Sequence, residues 1–173
     1  RRGGDTVSRP WGGRCACAFA RCPGGRGVAA AGGEGGVLTN GRGYHARGGR
    51  NANAAVVISV DGSDFGGDAM KAVAFQRQLE QAAFKAGGSD YTAPAETVQS
   101  FLNGEGALRL GAVRPTYDRG VRAFDLGSLL PGALAAGLRA GLAAFDRRLP
   151  GYAGPSPVLT VLATRHPSPV LPL

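Results

Sequence analysis

Long apolar runs are missing from these 173 residues, and none approaches the roughly 20 that a bilayer-spanning helix requires. No membrane association is therefore expected. Arg1-Arg2-Gly3-Gly4-Asp5 opens onto neither an apolar stretch nor a cleavage site, which excludes a secretory signal. The absence of an initiating Met raises the expectation of a fragment. Lysine is nearly absent: Lys71 and Lys85 stand against 18 arginines. That ratio, with abundant Ala and Gly, reads as the coding bias of a G+C-rich genome. The arginines are also dispersed and lack the interleaved aromatics of a nucleic-acid groove, so the net charge of +8 is not taken as an RNA or DNA footprint. Histidine is limited to His45 and His166, which narrows acid–base proposals, and there is no G-x-x-x-x-G-K-[ST] loop for nucleotide hydrolysis.

What is present is a chain of 43% hydrophobic and 18% charged residues, with 30 glycines and 11 prolines. Its length suits one ordinary domain, and its apolar share is too high for general disorder. The glycines follow no three-residue period, so collagen is excluded. Residues 1–17 show neither a helical nor a strand period and read as a poorly defined terminus; residues 18–170 read as the domain. Cys22-Pro23-Gly24-Gly25 is a turn signal, followed by a short strand at Val28–Ala31. Gly32–Gly36 is a second turn, Val37-Leu38-Thr39 begins an extended piece, and Asn40-Gly41 is a hairpin-type dipeptide. Ala54–Val60 is the clearest strand. Ala72, Phe75, Leu79, Ala82, Ala83 and Ala86 fall at helical spacing, with Gly87-Gly88 as the terminator. Pro94 is placed near the start of a short helix that buries Val98, Phe101 and Leu102 and stops at Asn103-Gly104. The stretch from Gly111 to Asp125 is irregular. Leu134, Leu138, Leu142, Phe145 and Leu149 form a third helical stripe, ended by Pro150-Gly151, and Val158–Leu162 is a last strand. Strands, then about three helices, then one returning strand define an α+β class.

Few motifs carry chemistry. Cys15, Cys17 and Cys22 offer three sulfurs where a structural zinc needs four ligands, so no metal is expected. An odd cysteine count without a signal favours reduced thiols and a cytoplasmic setting. Gly25-Arg26-Gly27-Val28-Ala29-Ala30 matches a loose dinucleotide pattern, but a strand-like run follows where a helix is needed, so the match reads as accidental. Ser168 with His166 lacks a nucleophile elbow. Asn51 and Asn53 offer two amides, and turn chemistry is the stronger reading.

Taken in order, a set of segments resembles one family of bacterial flavoproteins. They are Cys22–Gly25, Gly35–Gly41, Tyr44–Arg47, Asn51–Asn53, Phe75–Glu80, Gly87-Gly88 with Tyr91, Ala93 and Pro94, and Arg114–Tyr117. Leu130-Pro131, Phe145–Gly151 and Thr164-Arg165 with Ser168-Pro169-Val170 complete it. The family is the FAD-dependent dehydrogenases, or NAD(P)/FAD-dependent oxidoreductases, and the chain is similar to their C-terminal region over about residues 18–170. The resemblance implies an inserted domain attached to a Rossmann-type FAD domain, covering the flavin and shaping the substrate side for a small molecule. FAD is then the cofactor of the full-length protein and is not held by this piece alone. The missing FAD-binding domain, with its Rossmann motif before residue 1 and a second Gly-rich segment after Leu173, becomes the partner. Cys22, Gly24, Gly25, Arg165 and Ser168 are implied to lie near the cofactor. Cys22 would be a redox-active or packing thiol, and Arg165 an anion or flavin-carbonyl partner. Where the family has a further Cys, this chain has Ala20. The alternative is a stand-alone, non-catalytic interaction domain.

Overall fold

The computed structural model of the chain describes residues 6–11, 14–30 and 33–161, and along 6–11, 14–15 and 17–22 the backbone path alone. Strand β1 (Thr6–Trp11) pairs antiparallel with the first part of β2 (Arg14–Ala29), from Thr6↔Phe19 to Trp11↔Arg14. β3 (Thr39–Gly43) pairs with the last part of β2, and β4 (Asn51–Ile58) pairs with β2 from Ala16↔Ile58 to Gly25↔Asn51. Gly25 is paired with both Gly43 and Asn51, so β3 and β4 flank β2 on opposite edges. A single 16-residue strand is thus the spine of a four-stranded sheet.

Two register shifts interrupt that spine, between Ala20 and Cys22 and between Pro23 and Gly25. Cys22–Gly25, expected as a turn, is therefore a bulged stretch of strand. Proline has no N–H for a ladder and is tolerated at a bulge, where a residue is left unpaired. The extra residue Gly24 adopts φ 72°, which costs a glycine little. Asn40-Gly41, expected as a hairpin turn, lies inside β3. The chain turns instead at Glu34-Gly35 and at Tyr44–Arg47, where Arg47 N–H donates to the Tyr44 carbonyl at 3.0 Å. Residues 6–17 show no alternation, yet 6–11 and 14–17 are paired, because a ladder is closed by backbone groups whatever the side chains are.

Asp61 caps a 3-10 turn (Gly62–Phe65), and Asp68 caps α1 (Ala69–Gly87) by accepting the N–H groups of Met70 and Lys71. Gly88 ends α1 at φ 106°, in the left-handed conformation that its sequence position suggests. β5 (Ala93–Thr97) then runs buried along its whole length, at the centre of a second, three-stranded sheet. Pro94 is therefore a strand residue and does not begin a helix. α2 (Val98–Asn103) starts after Thr97, whose side chain accepts from Ser100 N–H, and it buries Val98 and Phe101 as the spacing suggests. β6 (Val121–Ala123) pairs parallel with β5 inside the stretch read as irregular; three residues are too few to display a period. After a 3-10 turn (Leu126–Leu129), α3 (Gly132–Asp146) buries Leu134, Leu138, Leu142 and Phe145. It ends at Asp146, before Pro150, and the Asp146 carboxylate accepts the Ala153 N–H at 2.9 Å. β7 (Val158–Thr160) returns to pair antiparallel with β5. The architecture is α+β.

The two sheets meet where the Thr39 hydroxyl of β3 donates to the Val161 carbonyl at 2.8 Å and lies 3.0 Å from the Thr160 hydroxyl of β7, and α3 packs on the first sheet. A side chain at Gly141 would meet the Ala16 Cβ at 2.7 Å, so two small residues let α3 lie on β2, with Phe145 filling the space beside them. Val98, Phe101, Leu126, Leu138 and Leu142 form the main apolar cluster. Within it sits Glu96, with no exposed surface. Its Oε1 accepts the Leu126 N–H at 2.8 Å and its Oε2 accepts the Ser100 hydroxyl at 2.9 Å. Burial pushes this carboxyl above its ordinary range, against the pull of those two donors.

Candidate functional site

The bulge in β2 gathers segments that are far apart in sequence. Gly24 packs against the main chain of Arg47 and Gly49 so closely that a side chain there would collide with the Arg47 carbonyl. Cys22 lies opposite Asn53 in the β2–β4 register. The Asn53 carboxamide crosses the sheet over Gly25 and Gly41, whose missing side chains leave it room. Its Nδ2 donates to the carbonyls of Arg26, at 3.3 Å, and Arg42, at 3.0 Å, tying β4 across β2 to β3. Its Oδ1 is buried without a hydrogen-bond partner. Asn51 Nδ2 donates to the Arg114 carbonyl at 2.6 Å, and Thr116 Oγ1 accepts the Gly27 N–H at 2.8 Å. The loop 114–117 is therefore stapled to the same joint, and the Tyr117 hydroxyl carries it on to the Tyr91 carbonyl at 3.1 Å. Burial raises the Tyr117 hydroxyl above its usual range, so it stays a protonated donor.

The close backbone approach for which glycine is suited at 24 and 25 is made by the chain itself. The Nδ2 groups of Asn51 and Asn53 are engaged by backbone carbonyls and both residues lie in β4, so neither acts in a turn. Gly25-Arg26-Gly27 lies in paired strand with β3 to follow, so no helix N-terminus receives a pyrophosphate there. Arg165 and Ser168 lie outside the described residues, as does His166. His45 is exposed in the turn after β3.

A second feature carries no motif. An open groove of about 310 Å³ runs between the strand end at Ala29, the loop at Glu34 and Gly36, and the side chains of Tyr91, Tyr117 and Arg119. Tyr91 holds φ 65°, a strained value for an aromatic residue. Arg119 lies 5.2 Å from the centre of its ring, and Phe84 packs at 4.8 Å on it. The positive φ values of Ser89 and Tyr91 follow directly on Gly88, and only the unusual run of polar residues after a helix-ending glycine pair hints at them.

The chain matches the family described as FAD-dependent protein, C-terminal domain-like, over residues 6–166. An uncharacterized protein of Clostridium beijerinckii (strain ATCC 51743 / NCIMB 8052) is 40% identical over 153 residues, covering 88% of this chain and 29% of that relative. The chain belongs to this C-terminal domain-like family, and it spans less than a third of the length of the relative it matches. It is a region of a FAD-related protein, and FAD is the cofactor the family description attaches to the parent. The described residues do not fit a cradle for that dinucleotide: α1 begins with the Asp68 carboxylate at its N-cap, which repels phosphate, and the glycine-rich run is locked in a sheet. No helix among the described residues is long and apolar enough to cross a membrane.

Proposed function

We propose that this chain is the part of a FAD-dependent oxidoreductase that lies over the flavin and shapes the side on which a small substrate enters. One observation carries the reading. Cys22–Gly25, Gly41, Tyr44–Arg47, Asn51–Asn53 and Arg114–Tyr117 are separate in sequence, and all meet at the bulge of β2. Such a joint is costly to build from glycine and internally bonded amides unless its shape matters. In this reading Cys22 and Arg165 lie nearest the flavin ring, Cys22 as a redox-active or packing thiol and Arg165 as a partner for an anion or a flavin carbonyl. Gly24 and Gly25 hold the bulge that follows Cys22 in the strand, and Ser168 lies on the segment that returns to the FAD domain.

The FAD-binding domain of the same protein is the partner, and α1 supports this. No residue before Glu80 in this 19-residue helix is buried, and Met70 is 72% exposed. Helices are stabilised mainly by packing one face, so the first half of α1 is suited to docking against protein beyond the described residues. Purification of the 173-residue chain alone should yield protein without stoichiometric flavin, whereas the parent carrying a dinucleotide-binding domain retains it. Cys22→Ser in that parent should shift the flavin absorption bands. An isolated chain that retains one FAD, or an unchanged spectrum in Cys22→Ser, speaks against this placement.

A further inference from the structure

Arg26 and Arg42 are partners across the β2–β3 ladder. Their side chains therefore leave the same face, with Cβ atoms about 5 Å apart. Like charges directly opposite one another disfavour a strand pair. Neither guanidinium has a carboxylate partner among the described residues, where the ion pair that forms is Arg122 with Asp90. The flanking ladder positions are Gly25, Gly27, Gly41 and Gly43, and Asn53 lies over Gly25 and Gly41, so the opposite face carries Arg26 and Arg42 with Val28 and Asn40 next along it. Tyr44 completes it. Its ring centre is 5.4 Å from the Arg26 guanidinium, Arg26 Nη1 donates to its hydroxyl at 3.4 Å, and the residue is 51% exposed. A ring in that position restricts the guanidinium and leaves its remaining donors directed outward. From residue 14 to 60 the sequence holds six arginines and one carboxylate, Glu34, so nothing nearby in the chain offsets the charge.

We propose that Arg26 and Arg42, with Tyr44, bind the phosphate group of a small molecule. Two neighbouring cations are matched by a dianion, whereas a single carboxylate leaves one of them uncompensated. The planar guanidinium forks suit tetrahedral phosphate oxygens, and arginine keeps its charge across the physiological range. Arg47, Arg50 and Arg114 are exposed around the same joint and add to the field that draws an anion in. The site lies wholly within this chain and does not depend on the placement of the flavin.

The test is titration of the full 173-residue chain with inorganic pyrophosphate, read by calorimetry and by the arginine Nε–Hε NMR signals. Saturable binding is expected, weakened about tenfold by Arg26→Gln or by Arg42→Gln. Arg148→Gln, an exposed arginine beyond the end of α3, should leave it unchanged. Tyr44→Leu, outside the ladder, should weaken binding without disturbing strand pairing, and thermal melts report whether each variant is folded. Displacement by FAD assigns the site to a dinucleotide phosphate. Displacement by a sugar phosphate and not by FAD assigns it to a phosphorylated substrate; either outcome supports the site. Absence of saturation, or an equal loss in Arg148→Gln, overturns it. So does an affinity that climbs with the length of a single-stranded oligonucleotide, which marks a nucleic-acid surface instead.

Discussion

The two sheets of this molecule are held together by different physics. The first, β1–β4, has a long antiparallel ladder and, among its described side chains, few that are buried: Ala16 on β2, Thr39 on β3, and Val37 and Leu38 on the approach to β3. Glycines face one another across it, and a single carboxamide, Asn53, binds three strands. The second, β5–β7, is short, but its central strand is buried throughout and packs on α1 and α2, while Leu159 of β7 joins the apolar cluster of α2 and α3, which Val56 and Ile58 of β4 also reach. One region is specified by backbone geometry, the other by removal of apolar surface from water. Charge follows the same division. Residues 14–60 are strongly basic, while Asp61, Asp64, Asp68, Glu80, Asp90, Glu96 and Glu105 gather in the stretch that follows. Of the resembling segments, Cys22–Gly25, Tyr44–Arg47, Asn51–Asn53 and Arg114–Tyr117 meet at the geometric half, whereas Phe75–Glu80, Leu130-Pro131 and Phe145–Gly151 lie elsewhere.

Unfolding experiments can break that division. The largest effect is expected in the packed half: Phe101→Ala should lose about 3–5 kcal/mol in denaturant titration, because it empties the centre of the main cluster. In the geometric half, Gly24→Val should cost about 2–4 kcal/mol, from a left-handed φ and a collision with the Arg47 main chain. A loss below 1 kcal/mol in the same titration, about the scale of ordinary surface changes, would mean that the bulge relaxes easily. Asn53→Ala should cost about 1–2 kcal/mol through the two stranded carbonyls, and amide exchange should show the loss concentrated in β3 and β4. A loss spread evenly over α2 and α3 would deny the local role of the carboxamide.

The smallest effect is the most diagnostic of the packed half. Burial raises the Glu96 carboxyl above its ordinary value of 4.5, so the native state holds this proton more tightly than the unfolded chain does. Its contribution is fully present below pH 4.5 and is lost as pH rises through the folded value. Glu96→Gln removes that loss while keeping an acceptor for Leu126 N–H. The stability of wild type relative to Glu96→Gln should therefore fall as pH climbs above 4.5. A difference that is flat with pH, or that rises, would mean that Arg139 and the two donors outweigh burial.

How much of this was legible in the sequence follows the same line. α3 was plain, because Leu134, Leu138, Leu142 and Phe145 repeat at helical spacing and the structure buries all four. The helix ends at Gly88 and Gly104 were equally visible, since left-handed caps favour glycine. β2 was not, because bulges at Arg21 and Gly24 carry the residues that elsewhere mark turns. Asn40-Gly41 misled for a related reason: Gly41 is needed to clear Asn53, a contact that local pattern does not encode. Pro94 misled because β7 pairs with β5 only from Ala95 onward, so this strand position needs no ladder N–H, a fact local pattern does not show. The resemblance named the segments of the site but not their meeting place, which depends on contacts such as Gly24 with Arg47 and Asn51 with Arg114. The strained backbone of Tyr91 was hinted at only by the polar residues after Gly87-Gly88, and its groove carries no motif.

The central claim is that the bulged joint of the first sheet is the face turned toward the FAD domain. Hydrogen–deuterium exchange tests it directly, comparing the isolated chain with the same residues inside the full parent protein. The account predicts added protection at residues 22–27, 41–53 and 114–117 and along the first half of α1, with α2 and α3 unchanged. Protection gained on α2 and α3 alone, with the joint exchanging as in the isolated chain, would contradict it.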